Sequence, residues 1–311
     1  MTRKVVIDTD PGIDDAVAIL FALASPTFEV VGITTVAGNI SIGTVTRNAG
    51  RILALVGRSD IPVVEGASEP LSRKGFDVAE IHGDDGLGGV AFPEPAAAPL
   101  EGASEWLAEA LLGSPAGSID ILALGPLTNI ARLVEDDPAA ARRIGRIVAM
   151  GGAVDERGNI GPRSEYNLAA DPEAADIVLR AGLPLVLIPL DVTRKVRAGR
   201  DYLARLRASD STPALVSADL IEAYFQSGSE SRPLHDPCVM LYAERPGLFG
   251  VEKIALSLDL GDGPDAGALL RDVDGGVAVE VAMRVDAAGA LELLASGLAG
   301  WTRRRGVTAG L

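Results

Sequence analysis

Four carboxylates fall within eight residues near the start of the chain, Asp8, Asp10, Asp14 and Asp15, in the run V-V-I-D-T-D-P-G-I-D-D-A-V-A from Val5 to Ala18. Like charges about 4 Å apart at an effective dielectric near 20 repel by roughly 4 kcal/mol per pair, so such a cluster requires a proton, a basic partner or a cation. No Lys or Arg lies between Lys4 and Arg47. A hard, oxygen-liganded cation, Ca2+ or Mg2+, is the simplest account. The structural alternative is a helix N-terminus, where the macrodipole and free N–H groups favour negative charge; it accounts for one or two acids, not four.

Other chemistries built on these letters fare less well. An EF-hand loop opening at Asp8 would need Gly and Glu where the chain has Ile13 and Ile19. A strand followed by D-x-D also opens the aspartate-nucleophile phosphatases, although Pro11-Gly12 stands where those usually carry Thr or Val; that reading stays open. The phosphate loop G-x-x-x-x-G-K-[ST] is absent.

The elements that must position these acids follow from periodicity. Val5 to Ile7 reads as a buried strand, and Ala16, Val17, Ile19, Leu20 and Leu23 have helical spacing, which places the acids on the joining loop. Phe28 to Ala37 is a β-branched run ending at Gly38-Asn39, with a helix over Thr44 to Val56. Asn39 therefore shares an edge with Asp10, the edge where open parallel sheets collect ligands, unless it is only a turn residue. Ile61 to Val64 reads as a short strand. Gly66 to Gly102 is a long glycine-rich loop, a lid or a surface excursion, and it carries His82, one of two histidines.

Glu105 to Leu112 is helical, and the strand Ile119 to Leu124 runs into G-P-L-T-N. Gly125-Pro126 makes a corner that exposes the carbonyl of Leu124, a neutral oxygen of the kind calcium accepts, while Thr128 or Asn129 would cap the next helix. A strand over Arg146 to Met150 leads through Gly151-Gly152 into a polar loop, whose Asn159, Glu165 and Asn167 are suited to sugar hydroxyls. Asp171-Pro172 reads as a cap and first helical residue, and Leu183 to Leu190 as a strand. Gly199 to Gln226 spans one or two helices closing on Tyr224-Phe225, which are core or pocket wall. Asp236-Pro237, after His235, reads as another helix start, with Cys238 buried beyond it. Val251 to Leu260 and Val277 to Val285 resemble an edge hairpin, and Ala288 to Gly300 a last helix.

The 311 residues carry a formal charge of −15, which excludes the basic surface that nucleic acid or an anionic membrane would need and leaves small neutral ligands. One cysteine excludes an internal disulfide framework. The chain enters its first strand at once and its longest apolar run is Ala16 to Ala24, so a cytoplasmic location is expected. The fold expected is a single α/β domain over residues 1–311, with a mostly parallel, open twisted sheet flanked by helices.

Taken together, D-T-D-P-G-I-D-D-A from Asp8 to Ala16, Val36 to Asn39, His82-Gly83, Gly125 to Asn129, Met150 to Gly152, Glu165 to Asn167, Asp171 to Ala174 and His235 to Cys238 resemble the inosine–uridine preferring nucleoside hydrolases. The likeness runs in order from residue 4 to about 245, and the opening nonapeptide is its most specific part. It implies a Rossmann-like nucleoside hydrolase fold and a calcium ion at the pocket floor, held by Asp10, Asp15, the Leu124 carbonyl and Asp236. It also implies hydrolysis of the N-glycosidic bond through an oxocarbenium-like transition state, with Asp10 as general base on water and His235 as acid for the leaving base. Asp14 and Asn167 would hold the ribose 2′-hydroxyl, Asp236 the 3′-hydroxyl, Asn159 and Glu165 the 5′-hydroxyl, and Asn39 the 2′ or 3′ side. Met150 would line the pocket and His82 would close over the substrate. Relatives assemble as homodimers or homotetramers, and the same is expected here. The segment between Tyr224 and His235 is short and contains Pro233 where relatives present aromatic or histidine side chains, so base preference is not legible. A phosphohydrolase using Asp8 or Asp10, and a non-catalytic nucleoside or ribose binder, are the competing readings.

Overall fold

Val5, Val6 and Ile7 are all buried, and the alternation of a strand sends Val5 and Ile7 into one apolar layer and Val6 into the other. A strand covered on both faces belongs in the middle of a sheet, and β1 (Arg3–Thr9) lies there. The computed structural model describes residues 2–78, 83, 85–225 and 230–301. Among these, one ten-stranded sheet runs in the order β11-β10-β12-β7-β6-β5-β1-β2-β3-β4. Its other strands are β2 (Phe28–Thr35), β3 (Val63–Glu65), β4 (Leu100–Glu101), β5 (Ile119–Ala123), β6 (Ile144–Met150), β7 (Leu185–Ile188), β10 (Phe249–Leu258), β11 (Leu269–Arg271) and β12 (Val277–Val285). From β4 to β12 every neighbouring pair is parallel; only β10 runs antiparallel, to β11 and β12. The expected hairpin is therefore present at an edge, with β11, inside the glycine-rich 261–276 stretch, outermost.

The order reverses at β1, which has β2 on one side and β5 on the other. Asp10 and Leu124 follow the carboxyl ends of β1 and β5, at the divide where such sheets open a crevice. The helix after β1, Ile13–Ala24, is buried from Ile13 through Ala22, as its nearly all-apolar sequence requires. It starts three residues earlier than the apolar spacing suggested, so Asp14 and Asp15 lie in its first turn and not on the loop. Asp8 is likewise inside β1, where its Oδ1 accepts from the Thr34 hydroxyl at 2.5 Å.

One amide ties the strand ends together. Asn129, expected as a cap, leaves that position to Leu127; its Nδ2 donates to Asp8 Oδ1 (2.8 Å) and the Thr35 carbonyl (2.9 Å), and its Oδ1 accepts from the Ala67 backbone (2.9 Å). Thr128 instead donates to Asp171 Oδ2 at 2.7 Å. Asp171 caps the helix Pro172–Arg180 as its D-P sequence requires, accepting from the Ala174 backbone at 3.1 Å. The expected helical stretch after Gly199 resolves into Arg200–Arg207 and Thr212–Ala223. A separate two-stranded ribbon pairs β8 (Arg197–Gly199) with β9 (Ser231–Pro233). No helix among the described residues is long and apolar enough to cross a membrane.

Candidate active site

Asp10 sits at the bend between β1 and the Ile13–Ala24 helix, and glycine makes room for it. A Cβ on Gly125 would lie 2.5 Å from Asp10 Oδ1, and one on Gly38 would collide with Oδ2. Asp10 Oδ2 accepts the Asn39 N–H at 2.7 Å, whereas Oδ1 is buried without a hydrogen-bond partner. Asn39 also donates from Nδ2 to the Asp10 carbonyl and to Asp15 Oδ2, both at 3.1 Å. Asp15 is fixed further by the Thr9 hydroxyl (2.6 Å) and the Gly12 N–H (3.0 Å). Asn39 is thus a strut between two acids as well as a lining residue of the cavity above them.

Asp236 joins this cluster from far along the chain. It stands at the N-cap position of the helix Pro237–Glu244, but its backbone is already helical and its side chain makes no capping bond. Its carboxylate instead approaches the acids: oxygens of Asp14, Asp15 and Asp236 all lie within 4.8 Å of one another. Burial is the main force on these groups. It pushes Asp14 up to about 7, with Asp15 adding to the shift and Arg232 offsetting part of it. Burial followed by the neighbouring acids drives Asp10 and Asp236 well above the usual carboxylate range. An orphaned oxygen on Asp10, three converging carboxylates and the Leu124 carbonyl at the cavity wall form an oxygen-only donor set that fits a hard cation. Asp14 belongs to the tightest triad, although the resemblance places it on the sugar.

Above the acids opens a cavity of about 270 Å³, whose wall includes Asp14, Asn39, Leu124, Met150, Asn159, Glu165, Asn167, His235 and Asp236. Every expected sugar-side residue among the described ones is therefore brought to one place; His82 lies outside the described residues. Asn167 donates to the Leu124 carbonyl (2.6 Å) and the Met150 carbonyl (3.2 Å). Glu165 is the N-cap of Tyr166–Ala170, accepting the N–H groups of Asn167 (3.0 Å), Gly152 (2.9 Å) and Leu168 (3.3 Å), so its position is set by the backbone it caps. Asn159 accepts the Tyr166 N–H at 2.9 Å. His235 Nδ1 is 2.7 Å from the Thr193 hydroxyl; when that hydroxyl donates, Nε2 carries the proton.

Sequence reasoning gave no role to Tyr166, which entered only within the Glu165 to Asn167 motif, or to Arg194 and Arg232. Tyr166 donates to the Gly38 carbonyl at 2.6 Å, and Arg194 holds the Asn159 loop through the carbonyls of Arg157 (2.6 Å) and Gly158 (2.7 Å). Nothing in local spacing marks Arg194; Tyr166 had a signal in its place between Glu165 and Asn167, and Arg232 in its place three residues before His235. Tyr224, left between core and pocket wall, is both: buried, and lining the cavity. Asp8 is fully buried inside β1, where its Oδ1 accepts from both Thr34 and Asn129.

Comparison with known proteins bears on the family and the fold. A family model described as inosine-uridine preferring nucleoside hydrolase matches residues 5–292. The chain is 37% identical over 313 residues to the pyrimidine-specific ribonucleoside hydrolase RihA of Shewanella woodyi, covering 97% of this chain and 100% of that one. With RihA of Citrobacter koseri it shares 42% over 256 residues, covering 80% and 81%. Among solved structures, a plant nucleoside hydrolase, the PpNRh1 enzyme, superposes with a TM-score of 0.89 at 35% identity, covering 96% of this chain and 99% of that one. A purine-preferring ribonucleoside hydrolase from Gardnerella vaginalis gives 0.89 at 31%, covering 96% and 98%.

Fold, site and relatives define an N-glycosyl hydrolase acting on ribonucleosides. The chain belongs to the inosine-uridine preferring nucleoside hydrolase family.

Proposed function

We propose that this enzyme releases ribose and free base from ribonucleosides in a calcium-dependent reaction, with pyrimidine ribonucleosides preferred, as the names of its RihA relatives indicate for those proteins. The observation that carries the reading is the meeting of Asp10, Asp14, Asp15 and Asp236 beside a cavity lined by the amides of Asn39, Asn159 and Asn167. Asp10, Asp15, Asp236 and the Leu124 carbonyl would hold the cation, which when bound anchors a vicinal diol and makes a nearby water more acidic. Asp10 takes a proton from the attacking water through its otherwise unpartnered Oδ1. Asp14 and Asn167 hold the 2′-hydroxyl and Asp236 the 3′-hydroxyl, with Asn39 on the same side. Asn159 and Glu165 hold the 5′-hydroxyl. These contacts use binding energy remote from the scissile bond to favour the flattened, positively charged ribosyl transition state.

Uridine, cytidine and inosine incubated with the enzyme, with and without chelator, and followed for free ribose test the proposal. Ribose release that is fastest with pyrimidines, lost on chelation and restored by calcium is the expected result. Nucleoside binding without release, or phosphate release from an ester instead, would reject it. His235 supplies a proton to the departing base from Nε2, with Thr193 holding the ring from the other side. His235→Ala is expected to lower kcat for inosine by about 10²-fold with little change in the affinity for ribose. An unchanged kcat would remove the imidazole from the mechanism.

A further inference from the structure

Beside the acids and amides suited to ribose, the cavity wall carries Tyr224, Arg232, Pro233 and His235, of which all but Tyr224 are partly exposed. Arg232 is fixed there from two directions. Its backbone pairs with Ala198 in the β8–β9 ribbon, and its guanidinium carbon stands 4.1 Å from the centroid of the Tyr224 ring. Stacking on an aromatic face sets the plane of a guanidinium, whose five N–H donors outnumber the one hydroxyl that Tyr224 offers it. Arg232 Nε is buried without a hydrogen-bond partner. That Nε is closed off from the cavity, so it is the terminal N–H groups of this partly exposed residue that can meet a ligand there. A guanidinium has donors and no acceptors, so it favours a base edge that presents oxygen.

Resting on the ribonucleoside hydrolase reading above, we propose that Arg232 recognises the leaving base by donating to the C2 carbonyl oxygen of a pyrimidine, stabilising the charge that develops there. As the N1–C1′ bond of uridine breaks, its electron pair passes to the uracil ring and spreads over N1, O2 and O4. The oxygen of water bonds to C1′, one water proton goes to Asp10, and the uracil anion becomes neutral by taking up one proton from His235 or solvent. O2 is carried by the carbon next to N1, so a cation there meets negative charge as it forms. A purine has no oxygen on either carbon bonded to N9. Arg232 thereby supplies a physical reason for pyrimidine preference that the acid-lined ribose end cannot.

The rival role is that of a countercharge for Asp14, on which Arg232 acts through space. The two are separated by comparing uridine with 4-nitrophenyl β-D-ribofuranoside, which keeps the ribose but has no base carbonyl and a good leaving group. For Arg232→Met, kcat/KM for uridine is expected to fall about 10²-fold and that for the nitrophenyl riboside less than about threefold; Arg232→Lys, which keeps the charge, is expected to recover about tenfold on uridine. Equal losses on both substrates in a variant with an unchanged melting temperature, or no loss on uridine, would overturn the proposal. Should the Met variant fail to fold, the Lys variant carries the same comparison, its loss falling on uridine alone. Wild-type enzyme that releases ribose from neither substrate would have a different signature and would overturn the functional reading itself.

Discussion

Asp10→Asn is expected to lower kcat for ribose release by about 10⁴-fold, the upper end of what a positioned general base contributes. The amide is nearly isosteric, and the Asn39 N–H that now reaches Asp10 Oδ2 can still meet a carbonyl oxygen, so the bend after β1 should survive. What is lost is the one oxygen in the bend that has no other hydrogen-bonding task, Oδ1, together with a negative charge from the cation cage. The buried, crowded surroundings of Asp10 push its carboxyl toward the protonated form, so positive charge entering the cluster favours the ionised form that a base needs. Steady-state ribose release at saturating uridine measures the effect. A loss below about tenfold would assign proton abstraction to another group.

The second large effect is on stability, and its sign follows from the same crowding. Burial raises Asp14 to about 7 and Asp8 to about 6, and raises Asp10 and Asp236 well above the ordinary range. A carboxyl whose pKa is higher in the folded chain than in the unfolded one binds more protons when folded. Its stabilising contribution is complete below about pH 4 and is lost as pH rises through about 7. The metal-free protein should therefore weaken across that window. Calcium replaces the missing protons as countercharge and requires ionised ligands, so its stabilisation grows with pH. The melting temperature of calcium-loaded protein minus that of chelated protein is expected to widen from about pH 5 to about pH 8. With calcium about a thousandfold above its Kd, it should reach about 6 °C. A gap that stays constant or narrows would show that these acids do not hold the cation.

How much of this was legible depended on distance along the chain. The V-V-I run, the acids beside it and the strand-ending G-N and G-P pairs are local signals, and they located Asp10, Asn39 and Leu124 on one sheet edge. The family resemblance then brought Asp236 to the same place from 226 positions beyond Asp10, a partnership no periodicity contains. Local logic failed where a side chain had a stronger distant partner than its own backbone. Thr128 and Asn129 were suited to capping, yet Asp171 and Asp8 claim them; Asp236 stands at a cap position and turns to the acids instead. Arg232 was passed over although it stands three residues before His235, because the contact that fixes it, against Tyr224, forms only with the β8–β9 ribbon, whose strands lie more than thirty residues apart.

Asn129 also bears on how the enzyme moves. Its single amide group bonds to Asp8 in β1, to Thr35 at the end of β2 and to Ala67 just past β3, all within 2.9 Å. Sliding any one of these segments past its neighbours would break bonds in the buried interior, where lost partners are not replaced by water. The platform beneath the cavity therefore behaves as a stiff plate, one that holds the acid-bearing strand ends in fixed register with one another.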